Sequence, residues 1–167
     1  RGVQTIQYQV VTLMTTNGQS PFVTLFLNIP QGDPYEEEIA MIVEEVLRQR
    51  LEGIKNEKGV YITPAFPKLV YVLDEHNCLK GGKYDYITEL AVKCSAKRMY
   101  PEYSSAKKMK ENYEGNVFSP MGCRSFLSPW KDEEGNYKGE VLQYEGGIKN
   151  FVSYLNEQKH CQVIHPD

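Results

Sequence analysis

The chain has 167 residues, of which 41% are hydrophobic and 25% are charged, the balance of one ordinary globular domain. That balance excludes wholesale disorder, and no apolar run approaches the roughly 20 residues that a membrane-spanning helix requires. Nineteen Lys and Arg side chains against 22 Asp and Glu give a formal net charge of −3, which argues against direct contact with DNA. Because the first residue is Arg1 and not Met, we expect either a processed chain or a piece of a longer polypeptide.

The spacing of cysteines and histidines gives no sign of a disulfide framework or a metal site. No two cysteines have the C-x-x-C spacing of a zinc or redox motif, and the three histidines lack a ligand spacing as well. The four cysteines are Cys78, Cys94, Cys123 and Cys161. We therefore expect free thiols in a cytoplasmic protein, and no metal bound by this chain alone.

The first part of the chain contains two apolar runs separated by a loop. Residues 5–13 are rich in β-branched and aromatic side chains, which favours a strand, although so short a run also suits an amphipathic helix. Residues 15–20 contain Asn-Gly and predict a loop, because both residues tolerate positive φ. Residues 22–29 are mostly apolar on both faces, which predicts a strand buried on both sides, as in a parallel sheet.

The next segment has the strongest helical pattern in the chain. Asp33 is suited to the N-cap, and three glutamates follow where the helix dipole favours negative charge. Arg48 and Arg50 lie near the negative end of the helix, and Gly53 is a suitable terminator. The apolar stripe at helical spacing consists of Ile39, Ile42, Val43, Val46, Leu47 and Leu51. The pattern predicts a helix over residues 34–52.

Two further elements complete a predicted α/β core. Residues 67–73 are typical of a second buried strand, and the order strand, helix, strand predicts a right-handed crossover between parallel strands. Residues 84–100 are predicted to form a helix that ends before Pro101, with Cys94 packed on its apolar side. Residues 102–116 are polar and predict a short surface helix followed by a loop.

The last part of the chain has a turn signal and another amphipathic pattern. The turn predicts a hairpin that pairs residues 125–130 with residues 137–143. Residues 146–159 have apolar side chains at helical spacing and predict a C-terminal amphipathic helix. The expected fold class is therefore α/β with βαβ units, followed by that helix.

Cys123 is the leading candidate for chemistry. It follows Met121 and Gly122, and glycine lets the backbone approach a neighbouring group closely. Arg124 comes directly after it, and a nearby cation stabilises a thiolate. Composition alone leaves two readings open: a redox or radical cysteine on a glycine-containing loop, or an inert buried thiol.

Two other places have weaker signals. Cys78 follows Asp74-Glu75-His76-Asn77 after a predicted strand, and ligands collect at strand ends in parallel sheets, so a site and a plain loop both stay open. Lys107, Lys108 and Lys110 lie near glutamates, which favours a solvated face, with phosphate contact as the alternative.

Four segments resemble one known family. They are residues 11–22, residues 66–72, residues 94–101 and the run Pro120-Met121-Gly122-Cys123-Arg124-Ser125-Phe126-Leu127-Ser128-Pro129-Trp130. Together they resemble the catalytic subunit of the anaerobic, glycyl-radical (class III) ribonucleoside-triphosphate reductase. The resemblance covers about residues 3–139, and the Met-Gly-Cys-Arg segment is its most specific part.

The resemblance implies both a fold and a reaction. The family fold is an α/β barrel built from two half-barrels of parallel strands, of which this chain would be a partial piece. By the same resemblance, Cys123 would be the thiyl-radical residue that takes the 3′ hydrogen from a ribonucleotide. Met121 and Gly122 would line the substrate pocket. The implied function is the reduction of ribonucleoside triphosphates to deoxyribonucleotides for DNA replication.

The resemblance also implies groups and partners outside this chain. No cofactor is expected within it, whereas the family has a glycyl radical near its carboxyl terminus, generated by a radical-SAM activating enzyme. The implied partners are the ribonucleotide substrate and that activating enzyme, and members of the family tend to form homodimers. Beyond residue 139 the sequence departs from the family pattern and lacks the glycyl-radical motif, so we expect the isolated chain to be inactive.

The tail resembles a different family. Residues 144–156, with Ile164-His165-Pro166 beyond them, are similar to the junction between the ATPase and transducer domains of the bacterial DNA gyrase-B protein. These resemblances predict a reductase-like α/β fragment at residues 1–140 and a gyrase-B-like helical tail at residues 141–167. The alternative functions are a non-catalytic α/β module that binds a nucleotide or a protein, and a gyrase-related fragment.

Overall fold

Three parallel strands and two long helices form the centre of the fold. The computed structural model describes residues 1–113 and 115–120. Its helices are α1 (Gly2–Thr12), α2 (Glu36–Glu52), α3 (Glu75–Cys78), α4 (Asp85–Arg98) and α5 (Ala106–Asn112). Its strands are β1 (Thr24–Leu27), β2 (Ile54–Lys55), β3 (Tyr61–Ile62), β4 (Lys68–Leu73) and β5 (Glu102–Ser105).

The longer strands form a parallel sheet in the order β1-β4-β5. Phe26 of β1 lies opposite Val70 of β4, and Val70 lies opposite Glu102 of β5. The predicted parallel crossover from β1 through α2 to β4 is therefore confirmed. Within that crossover, β2 and β3 pair as a small antiparallel hairpin that no sequence pattern predicted.

The core lies between this sheet and the helices α2 and α4. Parallel strands that are covered by helices read as continuous apolar runs, and β4 shows this because its four central residues are all buried. Both helices place their apolar side on the sheet, as the periodicity of α2 predicts. The cluster of buried residues comprises Leu27, Ile29, Ala40, Val43, Leu47, Leu69, Tyr71, Tyr84, Ile87 and Ala91.

The start of α2 differs in detail from the predicted start. The N-cap is Tyr35 and not Asp33, so that part of the prediction is wrong. Asp33 instead closes the turn before the helix, because its Oδ1 accepts a hydrogen bond from the Tyr35 amide at 2.8 Å. Its short carboxylate thus satisfies a backbone donor just outside the helix, as Asp commonly does in turns.

Residues near the amino terminus form a helix and not a strand. α1 covers most of residues 5–13, so the helical alternative of the two predicted ones is confirmed. Gln7 and Val10 are its buried residues, and α1 contacts α2. Packing of this side against α2 outweighs the weak preference of β-branched residues for strands.

The prediction for residues 102–116 is only partly right. The expected short helix is present as α5, but Ala106 and Met109 are buried, so it is not purely a surface helix. The preceding residues form β5, which pairs with β4 along its length. A polar strand such as Glu102–Ser105 has no apolar run to reveal it, because its stabilisation comes from backbone pairing with its neighbour.

Some predicted elements lie outside the described residues. These are the hairpin of residues 125–130 and 137–143 and the helix of residues 146–159, which stay predictions, as does the partial barrel. The α/β class with a parallel sheet is confirmed. Over the described part of the chain, no helix is long and apolar enough to cross a membrane.

The amino ends of β4 and β5 form one edge of the sheet, which we call the amino edge. Arg50 of α2 is 2% exposed and donates to the carbonyl oxygens of Pro64, at 3.1 Å, and Pro67, just before β4. Its guanidinium also lies over the Tyr100 ring, 5.5 Å from the centroid. Burial lowers the pKa of Arg50. Arg50 was expected only to complement the helix dipole, but it joins α2 to the segments that precede β4 and β5.

Arg98 of α4 supplies a second connection at the amino edge. It donates to the carbonyl oxygens of Leu51 and Glu52 at the end of α2, and to the Thr63 hydroxyl at 3.2 Å. Gly53 lies beside it with φ 89°, and a Cβ there would approach the Ile62 carbonyl oxygen to 2.6 Å. The end of α2, the hairpin and α4 are thereby packed together.

Candidate functional site

The carboxyl ends of β1, β4 and β5 lie along the opposite edge, which we call the carboxyl edge, because the three strands are parallel. In open parallel sheets ligands bind in the crevice beyond the carboxyl ends of the strands. The chain continues there as three segments: residues 28–35 after β1, residues 74–84 after β4, and α5 after β5. This edge is the candidate functional site within the described residues.

The segment after β4 begins with a rigid helical turn. The Asp74 side chain accepts from the Asn77 amide, and Asn77 Oδ1 accepts from the Asp74 amide at 2.9 Å, so the two residues form a capping box. Asp74 Oδ1 also accepts from the Glu75 amide at 2.8 Å. Asn77 is 1% exposed, and its Nδ2 donates to the Val72 carbonyl oxygen at 2.9 Å. These hydrogen bonds fix the position of Asp74 at the end of the central strand.

Asp74 also forms an ion pair with α5. Lys110 Nζ lies 2.8 Å from Asp74 Oδ2, and the pair joins the end of β4 to the helix that follows β5. Burial raises the pKa of the Asp74 carboxyl, but hydrogen bonds from Lys110 and the Glu75 amide outweigh it, so the pKa lies below its usual value. The carboxylate is therefore charged at neutral pH.

A second ion-pair group joins the segments after β1 and β4. Lys83 Nζ lies 3.3 Å from Glu36 Oε1 and 3.1 Å from Glu37 Oε1. Glu36 also accepts from the Gly32 amide at 2.6 Å, and this backbone hydrogen bond is the main reason why its pKa is lowered. The glutamates predicted only to complement the helix dipole thus also hold two loops of the carboxyl edge together.

His76 is enclosed within the loop after β4. Its ring meets the Tyr84 ring edge-on with centroids 5.8 Å apart, and its carbonyl oxygen accepts from the Tyr84 amide at 3.2 Å. Gly82 allows this close turn, because a Cβ there would lie 2.4 Å from the His76 carbonyl oxygen. Both ring nitrogens are buried and have no hydrogen-bond partner among the described residues. The imidazole therefore packs against the Tyr84 ring inside the loop.

Two of the four cysteines, Cys78 and Cys94, lie among the described residues. Cys94 is buried on α4, as predicted, and burial raises the pKa of its thiol. Cys78 ends α3 at the carboxyl edge and is exposed, so its predicted place after a strand is confirmed, while its role stays a prediction. The predicted catalytic Cys123 and the pocket residues Met121 and Gly122 lie outside the described residues.

Lys108 and Lys110 of α5 have different kinds of ion-pair partner. Lys108 pairs with Glu111 on the same helix at 3.1 Å, as expected of a solvated face. Lys110 instead pairs with Asp74 on another element, which sequence reasoning missed. The sequence signal at this place was the Asp-x-x-Asn spacing after a strand, which is typical of a capping box and draws attention to Asp74. Within the described residues, no group of three or more His, Cys, Asp and Glu side chains is arranged to hold a metal ion.

Comparison with known proteins identifies the family. The model of the family described as anaerobic ribonucleoside-triphosphate reductase matches residues 1–156. The chain belongs to this family. It is 44% identical over 135 residues to the anaerobic ribonucleoside-triphosphate reductase of Enterobacteria phage T4, covering 80% of this chain and 21% of the relative. It is 41% identical over 134 residues to the enzyme of the same name from Escherichia coli K12, covering 79% of this chain and 18% of the relative.

The extent of the family match can be compared with the predicted domain boundary at residue 140. The chain spans about a fifth of the length of the curated relatives it matches. The family match includes the Met121-Gly122-Cys123-Arg124 segment and reaches residue 156, well into the predicted gyrase-like tail. The domain boundary at residue 140 and the similarity of residues 141–167 to the gyrase-B protein stay predictions.

Proposed function

We propose that this chain is a segment of a longer anaerobic ribonucleoside-triphosphate reductase, which converts ribonucleotides to deoxyribonucleotides. The observation that carries the proposal is the reductase family match over residues 1–156, which includes the Met121-Gly122-Cys123-Arg124 segment. The described residues supply a parallel sheet with two loops and a helix at its carboxyl edge, an arrangement that suits a ligand site at that edge.

The finer fold that we propose is a partial α/β barrel. The three strands are all parallel, and α2 and α4 cover one face of the sheet. Within the described residues β1 and β5 are the two outermost strands of the sheet, so a further strand can pair beside either of them. Closing such a sheet into a barrel requires more strands than the three that the described residues supply.

We assign the hydrogen-abstracting role to Cys123 and the lining of the substrate pocket to Met121 and Gly122. As a thiyl radical, Cys123 takes a hydrogen atom from C3′ of the ribonucleotide, so that an S–H bond forms and the C3′–H bond breaks. The 2′ hydroxyl then leaves as water, and Cys123 returns a hydrogen atom to C3′. The net change replaces C2′–OH by C2′–H, and a reductant outside this chain supplies the electron pair and protons that it consumes.

The proposed reaction depends on partners outside this chain. A glycyl radical elsewhere in the reductase, generated by a radical-SAM activating enzyme, supplies the unpaired electron when the protein is active. The ribonucleotide and the activating enzyme are the proposed partners, and a homodimer is the proposed assembly. This chain alone is therefore proposed to lack activity.

A matched pair of cysteine variants tests the function. The full-length protein that contains this segment is activated anaerobically, and deoxyribonucleotide formation is measured for the wild type, Cys123→Ser and Cys94→Ala. We expect Cys123→Ser to abolish product formation, because serine does not form the corresponding radical under these conditions. Cys94→Ala serves as the control and should stay active, because Cys94 is buried in the core and does not lie at the carboxyl edge. Product formation by Cys123→Ser at the wild-type rate would overturn the assignment.

The intact mass of the native protein tests whether the chain is a segment. A polypeptide several times longer than 167 residues is expected, because the relatives are about five times as long as the region that matches. A native polypeptide of this length alone would instead support a non-catalytic module.

A further inference from the structure

α1 precedes β1 in the chain as α2 precedes β4 and α4 precedes β5. In the two later units a strand also precedes the helix, and it lies beside the strand that follows the helix: β1 beside β4, and β4 beside β5. α1 contacts α2, but no strand precedes α1 among the described residues. Because strands joined by such a crossover are usually neighbours, the strand that would complete the first unit belongs beside β1, on the side away from β4.

A cavity of about 290 Å³ lies at that place, between α1, β1 and α2. Residues 25–28, at the end of β1, all line it. Successive side chains of a strand point to opposite faces, so a cavity that reaches four consecutive residues runs along the edge of β1 and not only over one face. Ile6 of α1 and Ile42 of α2 also line the cavity, and they are 52% and 56% exposed. Exposed apolar side chains around a cavity are typical of a surface that another element covers.

Gln7 of α1 lines the same cavity and is only 8% exposed. Its Nε2 is buried and has no hydrogen-bond partner among the described residues. Folded proteins nearly always pair a buried amide of this kind, because an unpaired one is unfavourable. The cavity therefore suits an occupant that is apolar and carries an oxygen acceptor. An extended polypeptide has both properties, because its carbonyl oxygens lie between apolar side chains.

We propose that a β-strand from the part of the reductase that precedes Arg1 occupies this cavity, pairs in parallel with β1 and supplies the oxygen that accepts from Gln7 Nε2. α1 is then the crossover helix between that strand and β1. The inference rests on the proposed function, because it requires this chain to be a segment of a longer reductase. The relatives are about five times as long as the region that matches, so such a strand can be supplied by the same polypeptide.

The two complete units indicate how far from α1 the strand should end. Residues 28–35 separate β1 from α2, and residues 74–84 separate β4 from α4. A connection of the same length places the end of the proposed strand about ten residues before Gly2. The proposal thus commits to one stretch of the longer polypeptide.

Site-specific photocrosslinking in the full-length protein tests which segment lies in the cavity. Phe26→p-benzoylphenylalanine places the photoreactive group on β1, and Ile42→p-benzoylphenylalanine places it on α2 at an exposed position. After irradiation, the crosslinked peptides are identified by mass spectrometry. We expect both variants to crosslink to a peptide that lies within about 20 residues before Arg1. Tyr86→p-benzoylphenylalanine, on α4 and outside the cavity lining, is the control and should not crosslink to that peptide.

Each other crosslinking result would overturn the proposal. Crosslinks to residues beyond 167 would assign the cavity to a later segment. Crosslinks between isotopically labelled and unlabelled copies would assign it to a second subunit. The absence of a protein crosslink from both cavity positions would leave the cavity to solvent or to a small molecule. A crosslink from the Tyr86 variant to the same peptide would show that the peptide is not confined to the cavity.

Gln7→Leu tests the proposed hydrogen bond by the sign of its effect. If an oxygen of the added strand accepts from Gln7, leucine leaves that oxygen unpaired, and the unfolding temperature of the full-length protein should fall by about 2 °C. Gln9→Leu, at an exposed position of the same helix, should leave it unchanged. A higher unfolding temperature for Gln7→Leu would contradict the hydrogen bond, because an apolar side chain then replaces an unpaired amide in an apolar cavity.

The failure of this inference can be told apart from the failure of the proposed function. A native polypeptide of only this length would refute both. A longer reductase that is active, loses activity in Cys123→Ser and crosslinks elsewhere from Phe26 and Ile42 would refute only the proposed strand.

Discussion

The amino and carboxyl edges of the same sheet are held together by different chemistry. At the amino edge, Arg50 and Arg98 donate to backbone carbonyl oxygens, and Arg50 does so while almost completely buried. At the carboxyl edge, Lys83 and Lys110 form ion pairs with partly exposed side chains. Loss of a buried donor leaves carbonyl groups unsatisfied, whereas partly exposed ion pairs are weak and sensitive to salt. The arginines of the amino edge therefore contribute more to stability than the two ion pairs of the carboxyl edge do.

Thiol reactivity should show the largest contrast between the two edges. Cys78 is exposed at the carboxyl edge, whereas Cys94 is buried near Arg50 and burial raises the pKa of its thiol. We expect iodoacetamide to modify Cys78 in the native protein at least about a hundredfold faster than Cys94. Peptide mass spectrometry over time measures both rates. Similar rates would contradict the buried environment of Cys94.

Replacement of Arg50 should cause the largest loss of stability. Arg50→Met leaves the carbonyl oxygens of Pro64 and Pro67 without their donor, so we expect the free energy of unfolding to fall by about 3 kcal/mol. Arg48→Met is the matched control, because Arg48 forms only an exposed pair with Glu44 and should cost less than about 0.5 kcal/mol. Urea titration measures both values. Equal losses would show that the amino edge does not depend on Arg50.

Asn77→Ala tests the rigid turn at the carboxyl edge. The substitution removes the hydrogen bonds to the Asp74 amide and the Val72 carbonyl oxygen, which leaves a buried acceptor unsatisfied. We expect a loss of about 2 kcal/mol in the free energy of unfolding. Asn116→Ala removes one exposed local hydrogen bond and should cost less than about 0.5 kcal/mol. If the two variants unfold alike, the capping box does not stabilise the turn after β4.

The smallest effect concerns the ion pair between Lys110 and Asp74. Both side chains are partly exposed, so Lys110→Met should cost only about 0.5–1 kcal/mol at neutral pH and low salt. The pKa of Asp74 is lowered on folding, so this contribution is present above the unfolded pKa of about 3.9 and disappears as the pH falls through the lower folded value. Unfolding measured from pH 7 to pH 2, and again in 1 M salt, checks both trends. A difference between variant and wild type that persists at pH 2 would contradict them.

The elements that the sequence predicted are those with strong periodic patterns. β1, α2, β4 and α4 have apolar runs or stripes, and the packing of those residues against one another is what forms the core. β5 has polar residues and is stabilised mainly by backbone pairing, so no residue pattern indicates it. The hairpin of β2 and β3 has two residues in each strand, too few to show a period.

Sequence patterns predicted less of the candidate site than of the core. The loop after β4 was expected at a strand end because a turn-forming segment follows an apolar run. The ion pair between Asp74 and Lys110 depends on the placement of β5, which brings α5 beside the end of β4. The contacts of Arg50 could not be predicted either. A basic residue at the end of a helix gives no sign that it is buried and donates to the carbonyl oxygens of two prolines.

Hydrogen transfer from the substrate tests the central claim most directly. The activated full-length protein is supplied with a ribonucleotide that has deuterium at C3′, and deoxyribonucleotide formation is compared with that from the unlabelled nucleotide. Because Cys123 is proposed to break the C3′–H bond, the labelled substrate should react more slowly in the wild type, and Cys123→Ser should form no product from either. Equal rates for the two substrates, together with an active Cys123→Ser variant, would contradict the proposed role of Cys123.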